Sequence, residues 1–249
     1  MFGSPIYALL SIAAVVVSAM VWDRLFRRSA VPRDGRLALV FLAALVGAFL
    51  GAKIAFLVAE GWHQRGDWIA LASGRSVTGA LIGGTLAAEF VKWRLGVRTA
   101  TGDAFAITVP LAVAIGRVGC VSAGCCQGVA CEPSWWTVVD AHGHARVPSA
   151  QIELGFNLAF LAWSLAAARF GWMPTQRFNV YLIGYGAFRF VHEFWRDDHR
   201  WFEGFGGYHL AAIAVAAVGV AMMVRRRRLN AQPAFAPATT GLARGAGGR

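Results

Sequence analysis

Charged residues are scarce in this 249-residue sequence, and acidic residues are the scarcest of them. Only 15% of the residues are Asp, Glu, Lys or Arg, whereas soluble domains contain about 25%. The chain therefore has too little polar surface to face water on all sides, which excludes a soluble enzyme and a disordered protein. Because 57% of the residues are hydrophobic, the composition indicates an integral membrane protein.

Cysteine is also rare, and its four copies, Cys120, Cys125, Cys126 and Cys131, fall within one short segment. This clustering excludes a general disulfide framework and indicates one local site. Basic residues are missing ahead of the first apolar stretch, which begins near Pro5. That absence excludes a cleavable signal peptide and predicts that the stretch is a membrane span.

Apolar stretches long enough to cross the hydrocarbon core, about 17 residues or more, recur along the chain. We predict an all-α polytopic bundle of about seven transmembrane helices, in which the third and fifth spans are short and each carries a Glu. The spans are Ile6–Trp22, Leu37–Ala59, Val77–Trp93, Ala104–Ala123, Ile152–Ala168, Phe178–Trp195 and Gly206–Val224. Residues 1–228 are expected to form this single domain, and residues 229–249, rich in Ala, Gly and Pro, a disordered cytoplasmic tail.

Basic residues are distributed unequally between the two sides of the predicted bundle. The loops after the first, third and fifth spans and the C-terminal end hold most of the 24 Lys and Arg residues. Because basic loops stay in the cytoplasm, we expect the N-terminus outside and the C-terminus inside. The net charge of +11 therefore indicates contact with anionic lipid, and no nucleic acid partner is expected.

Two glycine pairs have the four-residue spacing that lets membrane helices approach closely. They are Gly47 with Gly51 and Gly79 with Gly83. Helix packing is the favoured interpretation, and the spacing serves packing within one chain or between two chains equally well.

Ionisable residues inside the predicted spans lie near one level on the extracytoplasmic side. They are Lys53, Arg117, Glu153, Arg189, His192, Glu193 and Arg196. Because each costs roughly 3 kcal/mol to insert, such residues indicate function, although pairing or snorkelling to the interface is the alternative for Lys53 and Arg196. Four basic residues against two acidic ones leave two positive charges, which predicts an anionic ligand. Arginine suits phosphate because it donates two parallel hydrogen bonds.

Five segments carry a resemblance to a known family. They are VGAFLGAKIAFLVAE (46–60), SVTGALIGG (76–84), AIGRVGCVSAGCCQG (114–128), PSAQIE (148–153) and YLIGYGAFRFVHEFWR (181–196). Over most of residues 5–225 the chain resembles the prolipoprotein diacylglyceryl transferases. The most specific matches are the Gly-Arg-x-Gly element Gly116–Gly119 and the Arg-Phe-x-x-Glu-Phe-x-Arg element that ends at Arg196.

The resemblance implies a multi-pass protein of the bacterial inner membrane with its active site toward the extracytoplasmic face. It implies that a diacylglyceryl group moves from phosphatidylglycerol to the cysteine of a prolipoprotein signal peptide, and that glycerol phosphate leaves. By match, Arg117 and Arg189 hold the headgroup and stabilise the leaving phosphate, and Glu193 orients them. No cofactor and no metal are expected. The other predicted lipid-binding residues are Lys53, Glu153, Arg196, Gly116 and Gly119.

The sequence departs from the family pattern where the family handles protons. Thr78 stands where the family usually has a His implicated as a base, Cys120 where it has Asn, Cys126 at a nearby acidic position and Val147 at a second His. An acceptor thiol, with a pKa of about 8.5, needs help in losing its proton. The candidates for that help are His192, Glu193 and a thiolate within Cys120–Cys126.

The cysteine spacing matches no standard zinc or iron–sulfur motif. Three interpretations stay open: a disulfide from Cys125 or Cys126 to Cys131, buried thiols, or a metal, redox or nucleophilic role. Cys120 follows Arg117 by three residues on the same helical face, so Cys120 and Cys126 are candidate catalytic residues. Two alternative functions accompany the transferase: a membrane enzyme with cysteine-based thiol or acyl-transfer chemistry, and a non-catalytic phospholipid-binding protein.

Overall fold

The structure, a computed structural model, describes residues 5–27, 35–64, 66 and 68–229, and most of this part of the chain is helical. Its long helices are α1 (Pro5–Arg27), α2 (Gly35–Phe56), α4 (Val77–Leu95), α5 (Gly102–Ser122), α6 (Ser149–Phe170), α7 (Arg177–His192) and α8 (Gly207–Leu229). A short helix, α3 (Trp68–Ser73), precedes α4. Apart from Leu229, the tail predicted for residues 229–249 lies outside the described residues.

Three smaller elements complete the described chain. A π-helical turn, Leu57–Gly61, continues α2, and a 3-10 turn, Glu193–Trp195, continues α7. In the loop between α5 and α6, β1 (Val138–Val139) pairs antiparallel with β2 (Ala145–Arg146).

Five of the described helical segments are long and apolar enough to cross a membrane. They are Pro5–Arg27, Gly35–Gly61, Gly102–Ser122, Ser149–Phe170 and Gly207–Arg228. Of the other two long helices, α7 has only 16 residues and α4 carries Glu89, Lys92 and Arg94 near its end. The predicted helical membrane class is confirmed, while the count of seven spans and their orientation stay predictions.

The glycine pairs pack α2 against α4 within the chain. A Cβ on Gly51 would lie 2.3 Å from the carbonyl oxygen of Gly79, and a Cβ on Gly79 would lie 2.3 Å from that of Gly51. Gly47 and Gly83 approach each other in the same way. Because backbone contacts backbone, larger residues do not fit, and the predicted close helix packing is confirmed.

Helices α5 and α7 run in the same direction and position the polar residues of the bundle. At their first turns, Asp103 Oδ2 lies 3.2 Å from Arg177 Nη1, and both side chains are buried. Their C-terminal ends carry Arg117 and Arg189. The two helices therefore have a buried ion pair at one end and two buried arginines at the other.

Candidate functional site

Arg117 of α5 and Arg189 of α7 meet on one carboxylate, that of Glu153 near the start of α6. Arg117 Nη2 lies 2.7 Å from Glu153 Oε2, and Arg189 Nη1 lies 3.5 Å from the same oxygen. Glu153 is fully buried, and its other oxygen accepts a hydrogen bond from the Tyr185 hydroxyl at 2.8 Å. The structure thus brings together the two arginines that the sequence places in one site.

The end of α7 adds a second pair of carboxylates. Arg189 Nη2 lies 2.7 Å from Glu193 Oε2, one helical turn away. Arg196 Nε lies 2.7 Å from Asp198 Oδ2, which is also 3.7 Å from Arg189 Nη2. Burial raises the pKa of Asp198, but Arg196 and Arg189 outweigh burial and hold that pKa below its usual range. Asp198 is therefore an ionised member of the cluster.

The ion pairs of this cluster balance in charge. Three guanidiniums are paired with three carboxylates: Arg117, Arg189 and Arg196 with Glu153, Glu193 and Asp198. The predicted surplus of positive charge stays a prediction, because Asp198 adds a carboxylate to the predicted set and Arg200 adds a guanidinium that donates to backbone carbonyls. The Lys53 ammonium donates to the carbonyl oxygen of Leu71 and, at 3.4 Å, to that of Gly74. A lipid-binding role for Lys53 stays a prediction.

Two guanidinium nitrogens beside the cluster have no hydrogen-bond partner within the described residues. They are Nη1 of Arg196 and Nη1 of Arg200, and both atoms are shielded from solvent. Arg200 Nη2 donates to the carbonyl oxygens of Glu193 at 2.7 Å and Arg196 at 2.9 Å. A buried donor left without an acceptor costs about 1–3 kcal/mol, and more when charged. These nitrogens therefore mark a place where an anionic acceptor is favoured.

His192 is held in one tautomer by its neighbours. Its Nδ1 lies 3.4 Å from Arg189 Nη1 and its Nε2 lies 3.1 Å from Ser149 Oγ. Because a guanidinium only donates, Nδ1 accepts, and the proton on Nε2 points at the serine oxygen. Neither ring nitrogen is left to take a proton from an acceptor thiol, which argues against His192 as the general base.

Sequence reasoning missed three members of the site, namely Tyr185, Asp198 and Arg200. Tyr185 precedes Arg189 by four residues and so shares its helical face, a signal that was present in the sequence. Asp198 and Arg200 follow the end of the helix, where helical spacing no longer predicts direction. Only the irregular segment after Trp195 brings them back to the cluster.

The loop between α5 and α6 packs against the segment that follows α7. The Val129 amide donates to the carbonyl oxygen of Trp195 at 3.0 Å, and Arg146 Nη1 lies 2.8 Å from Asp197 Oδ2. Asp140 accepts from Arg146 Nε at 2.8 Å. This bond, with two backbone amides, holds the pKa of Asp140 well below its usual range. The contacts join the two loops beside Arg196.

The four cysteines are free thiols. The interpretation as a disulfide to Cys131 is therefore wrong for this structure. The Sγ atoms of Cys120, Cys125 and Cys126 instead lie within 4.8 Å of one another. Arg117 Nη1 lies 3.7 Å from Cys120 Sγ, so the thiol cluster borders the arginine cluster.

An apolar cavity of about 220 Å³ runs beside α5 toward the arginine cluster. Its walls come mainly from α1, α2, α4 and α5, and on α5 they extend from Gly102 to Val113. Val113 lies one helical turn before Arg117. A half-open apolar cavity thus approaches the charged site along the same helix.

The two glycines predicted to bind lipid differ in their surroundings. A Cβ on Gly119 would lie 3.1 Å from Tyr7 Cδ2, so this glycine lets α1 pack closely on α5. A Cβ on Gly116 would have no atom within 4 Å. Helix packing accounts for Gly119, and lipid binding by either glycine stays a prediction.

Comparison with known proteins identifies the family. The sequence pattern described as "Prolipoprotein diacylglyceryl transferase" matches residues 4–225. The chain belongs to this family. The match runs from α1 into the last turn of α8, so it includes every arginine and carboxylate of the cluster, and it confirms the resemblance stated from the sequence.

Curated relatives with this family name come from several bacteria. A phosphatidylglycerol--prolipoprotein diacylglyceryl transferase of Dehalococcoides mccartyi (strain BAV1) is 25% identical over 236 residues, which are 90% of this chain and 89% of that protein. The Wolinella succinogenes protein is 31% identical over 179 residues, 63% of each chain. The second such transferase of Clostridium perfringens is 26% identical over 172 residues, 64% of this chain and 66% of that protein.

Thr78, one of the two positions that the sequence resemblance aligns with a His, lies in the first turn of α4. Its hydroxyl lies 2.6 Å from that of Ser76, and both residues are buried. Ser76 also accepts a hydrogen bond from the Gly79 amide at 3.4 Å and so caps the helix. The first turn of α4 thus carries a pair of neutral hydroxyls at the position where the sequence resemblance implied a His.

Proposed function

We propose that this protein transfers the diacylglyceryl group of phosphatidylglycerol to the cysteine thiol of a prolipoprotein, as the names of its relatives state for them. One observation carries the proposal for this chain. The buried Arg117 of α5 and Arg189 of α7 converge on Glu153, and beside them Arg196 and Arg200 each have a guanidinium donor that is unpaired within the described residues. Such a site suits a phosphate, and the apolar cavity that approaches Arg117 suits an acyl chain.

The proposal includes a multi-pass topology in the bacterial inner membrane. Residues 1–228 form seven spans with the N-terminus outside, and residues 229–249 form a cytoplasmic tail. The polar helices α4 and α7 are compatible with spanning because neighbours cover them: α2 packs on α4 through glycine, and α7 is largely buried. In this orientation the arginine cluster lies toward the extracytoplasmic face, where prolipoprotein substrates are exposed.

A phosphate that contacts both Arg189 and Arg196 has to displace a carboxylate, because both guanidiniums are already ion-paired. Glu153 and Glu193 lie within helical segments, whereas Asp198 lies in the loop after Trp195. Asp198 is therefore the carboxylate that a phosphate displaces, since its oxygen contacts both Arg196 and Arg189. The phosphate then receives hydrogen bonds from those guanidiniums and from the unpaired nitrogens of Arg196 and Arg200.

The arginines assist the reaction by stabilising the negative charge that develops on the leaving group. The acceptor sulfur attacks the glyceryl carbon, the carbon–oxygen bond to phosphate breaks, and glycerol phosphate leaves with the electron pair. Arg117 and Arg189 are fixed by Glu153 before the reaction, so they stabilise that charge without reorganising. The group that takes the thiol proton stays a prediction between Glu193 and a thiolate within Cys120–Cys126.

Complementation tests the proposed function directly. A strain depleted of its own diacylglyceryl transferase receives the native chain, the Arg189→Ala variant, or the Arg98→Ala variant, which removes an exposed arginine of the α4–α5 loop. We expect growth and thioether-linked lipid on a reporter lipoprotein with the native chain and with Arg98→Ala, but not with Arg189→Ala. A well-expressed native chain that lipidates nothing would instead support the non-catalytic phospholipid-binding alternative.

A further inference from the structure

Three cysteines come together at the C-terminal end of α5, although their spacing in sequence resembles no metal motif. Cys120 lies in the last turn of the helix, and Cys125 and Cys126 follow it. All three Sγ atoms lie within 4.8 Å of one another. A metal ion bound at about 2.3 Å from each sulfur holds tetrahedral sulfurs about 3.8 Å apart, so the observed spacing is close to that of a loaded site.

The backbone of the turn explains how the three thiols meet. The Cys125 amide donates to the carbonyl oxygen of Cys120 at 3.0 Å, and Gly124 and Cys126 both have positive φ angles, +61° and +59°. These left-handed residues fold the chain back over the end of the helix. Positive φ is uncommon for a cysteine, and here it directs two consecutive side chains to the same region.

A cationic side chain borders the three thiols. Arg117 Nη1 lies 3.7 Å from Cys120 Sγ. Among the described residues, the group of potential ligand atoms that lie within 4.8 Å of one another consists of these three sulfurs and includes no histidine or carboxylate. An all-sulfur donor set selects soft cations over Mg²⁺, Ca²⁺ or Mn²⁺.

We propose that Cys120, Cys125 and Cys126 form a binding site for a soft d10 cation, Cu(I) or Zn(II), held by three thiolates. Three thiols release three protons to solvent, three metal–sulfur bonds form, and no electron is transferred. Cu(I) is satisfied by three sulfurs, whereas Zn(II) retains a fourth position for water or another ligand. The site adjoins the arginine cluster through Arg117 but does not depend on the proposed transferase activity.

Metal titration of the purified full-length protein tests the site. The reduced protein in detergent, kept free of oxygen, competes with bicinchoninate for Cu(I) and, separately, with a zinc chromophore for Zn(II). We expect one equivalent of at least one ion to bind. Each of Cys120→Ser, Cys125→Ser and Cys126→Ser should weaken that binding by about 100-fold or more, because each removes a direct ligand.

Cys131→Ser is the matched control, because Cys131 is also a free thiol of this segment but does not belong to the trio. We expect it to bind metal as the native chain does, and X-ray absorption of the loaded protein to show sulfur at about 2.3 Å. If Cys120→Ser fails to fold, the two loop variants carry the test. The proposal is overturned if neither ion binds, if Cys131→Ser weakens binding as much as the trio variants, or if thiol counting finds a disulfide within the trio.

Discussion

The two ends of α5 and α7 carry buried charges that are arranged differently. At the first turns, one arginine meets one carboxylate, and the remaining hydrogen bonds go to nearby backbone: Arg177 Nε donates to the carbonyl oxygen of Trp172, and Asp103 accepts from the Thr175 amide. At the other end, charges from α5, α6, α7 and the segment after α7 share partners. That end alone combines several arginines with guanidinium nitrogens that are unpaired within the described residues.

This difference separates a structural ion pair from a binding site. A buried pair of one arginine and one carboxylate fixes two helices in register, and the atom it leaves unpartnered among the described residues, Asp103 Oδ1, is an acceptor that does not attract an anion. A cluster assembled from several elements retains donors for a further anion. The two ends should therefore respond in opposite ways when their arginines are removed.

The largest expected effect is on stability, at the Asp103 end. Arg177→Ala leaves a buried carboxylate without its partner, so we expect the free energy of unfolding to fall by about 3–5 kcal/mol. Unfolding in detergent, followed by circular dichroism, measures the change. The double variant Asp103→Leu with Arg177→Met should recover most of the loss. If the Arg177→Ala protein were stable but inactive, the Asp103 end would not be a purely structural ion pair, and the proposed difference between the two ends would be wrong.

The second effect is on catalysis, at the Glu153 end. Removal of one preorganised donor costs about 10²–10³ in rate, so Arg189→Ala should lower kcat/KM at least about 100-fold. The assay follows thioether formation on a lipoprotein peptide, with phosphatidylglycerol as donor and Arg98→Ala as the control. We expect Arg189→Ala to remain folded, because Glu153 keeps Arg117 and Glu193 keeps Arg196 as ion-pair partners, whereas Asp103 has only Arg177 among the described residues. Equal activity in the two variants would contradict the assignment of the site.

A smaller effect of opposite sign tests whether Asp198 occupies the phosphate position. Asp198→Asn removes the displaceable charge, so phosphatidylglycerol should bind more tightly by roughly tenfold, equivalent to about 1.4 kcal/mol. Lipid titration of the purified protein measures the affinity. Asp197→Asn is the matched control, because Asp197 is exposed and pairs with Arg146. Weaker binding in Asp198→Asn would show that this carboxylate supports the site instead.

The smallest effect is expected in the loop pair beside the cluster, where charges are accessible to water. Since Arg146 and two backbone amides depress the pKa of Asp140, ionised Asp140 stabilises the folded loop above its unfolded pKa of about 3.9. That contribution is lost as pH falls through the lower folded pKa. Proteolysis of the loop should therefore increase as pH falls below about 4, and should be nearly constant between pH 7 and pH 5. Asp140→Asn should be cleaved readily throughout, unlike Glu132→Gln.

Sequence predicted the helices and the site to different extents, for physical reasons. Apolar runs locate every long helix of the described chain to within a few residues, because crossing lipid demands them. The one-turn spacing of Arg189 and Glu193 likewise predicts a shared face. Asp198 was not predicted, because an irregular segment decides where it points, and the two carbonyls that Lys53 contacts could not be identified from its position in the helix. The cysteine trio depends on two left-handed residues that no helical period reveals.

The glycine contacts between α2 and α4 have a consequence for how a two-tailed lipid enters. With backbone touching backbone at both glycine pairs, these two helices form one rigid wall that does not part without losing its packing. A lipid that enters laterally from the bilayer must therefore pass between another pair of neighbouring helices. A cross-link between α2 and α4 should leave lipid exchange unchanged. A cross-link between the two neighbouring helices at which lipid enters should stop it.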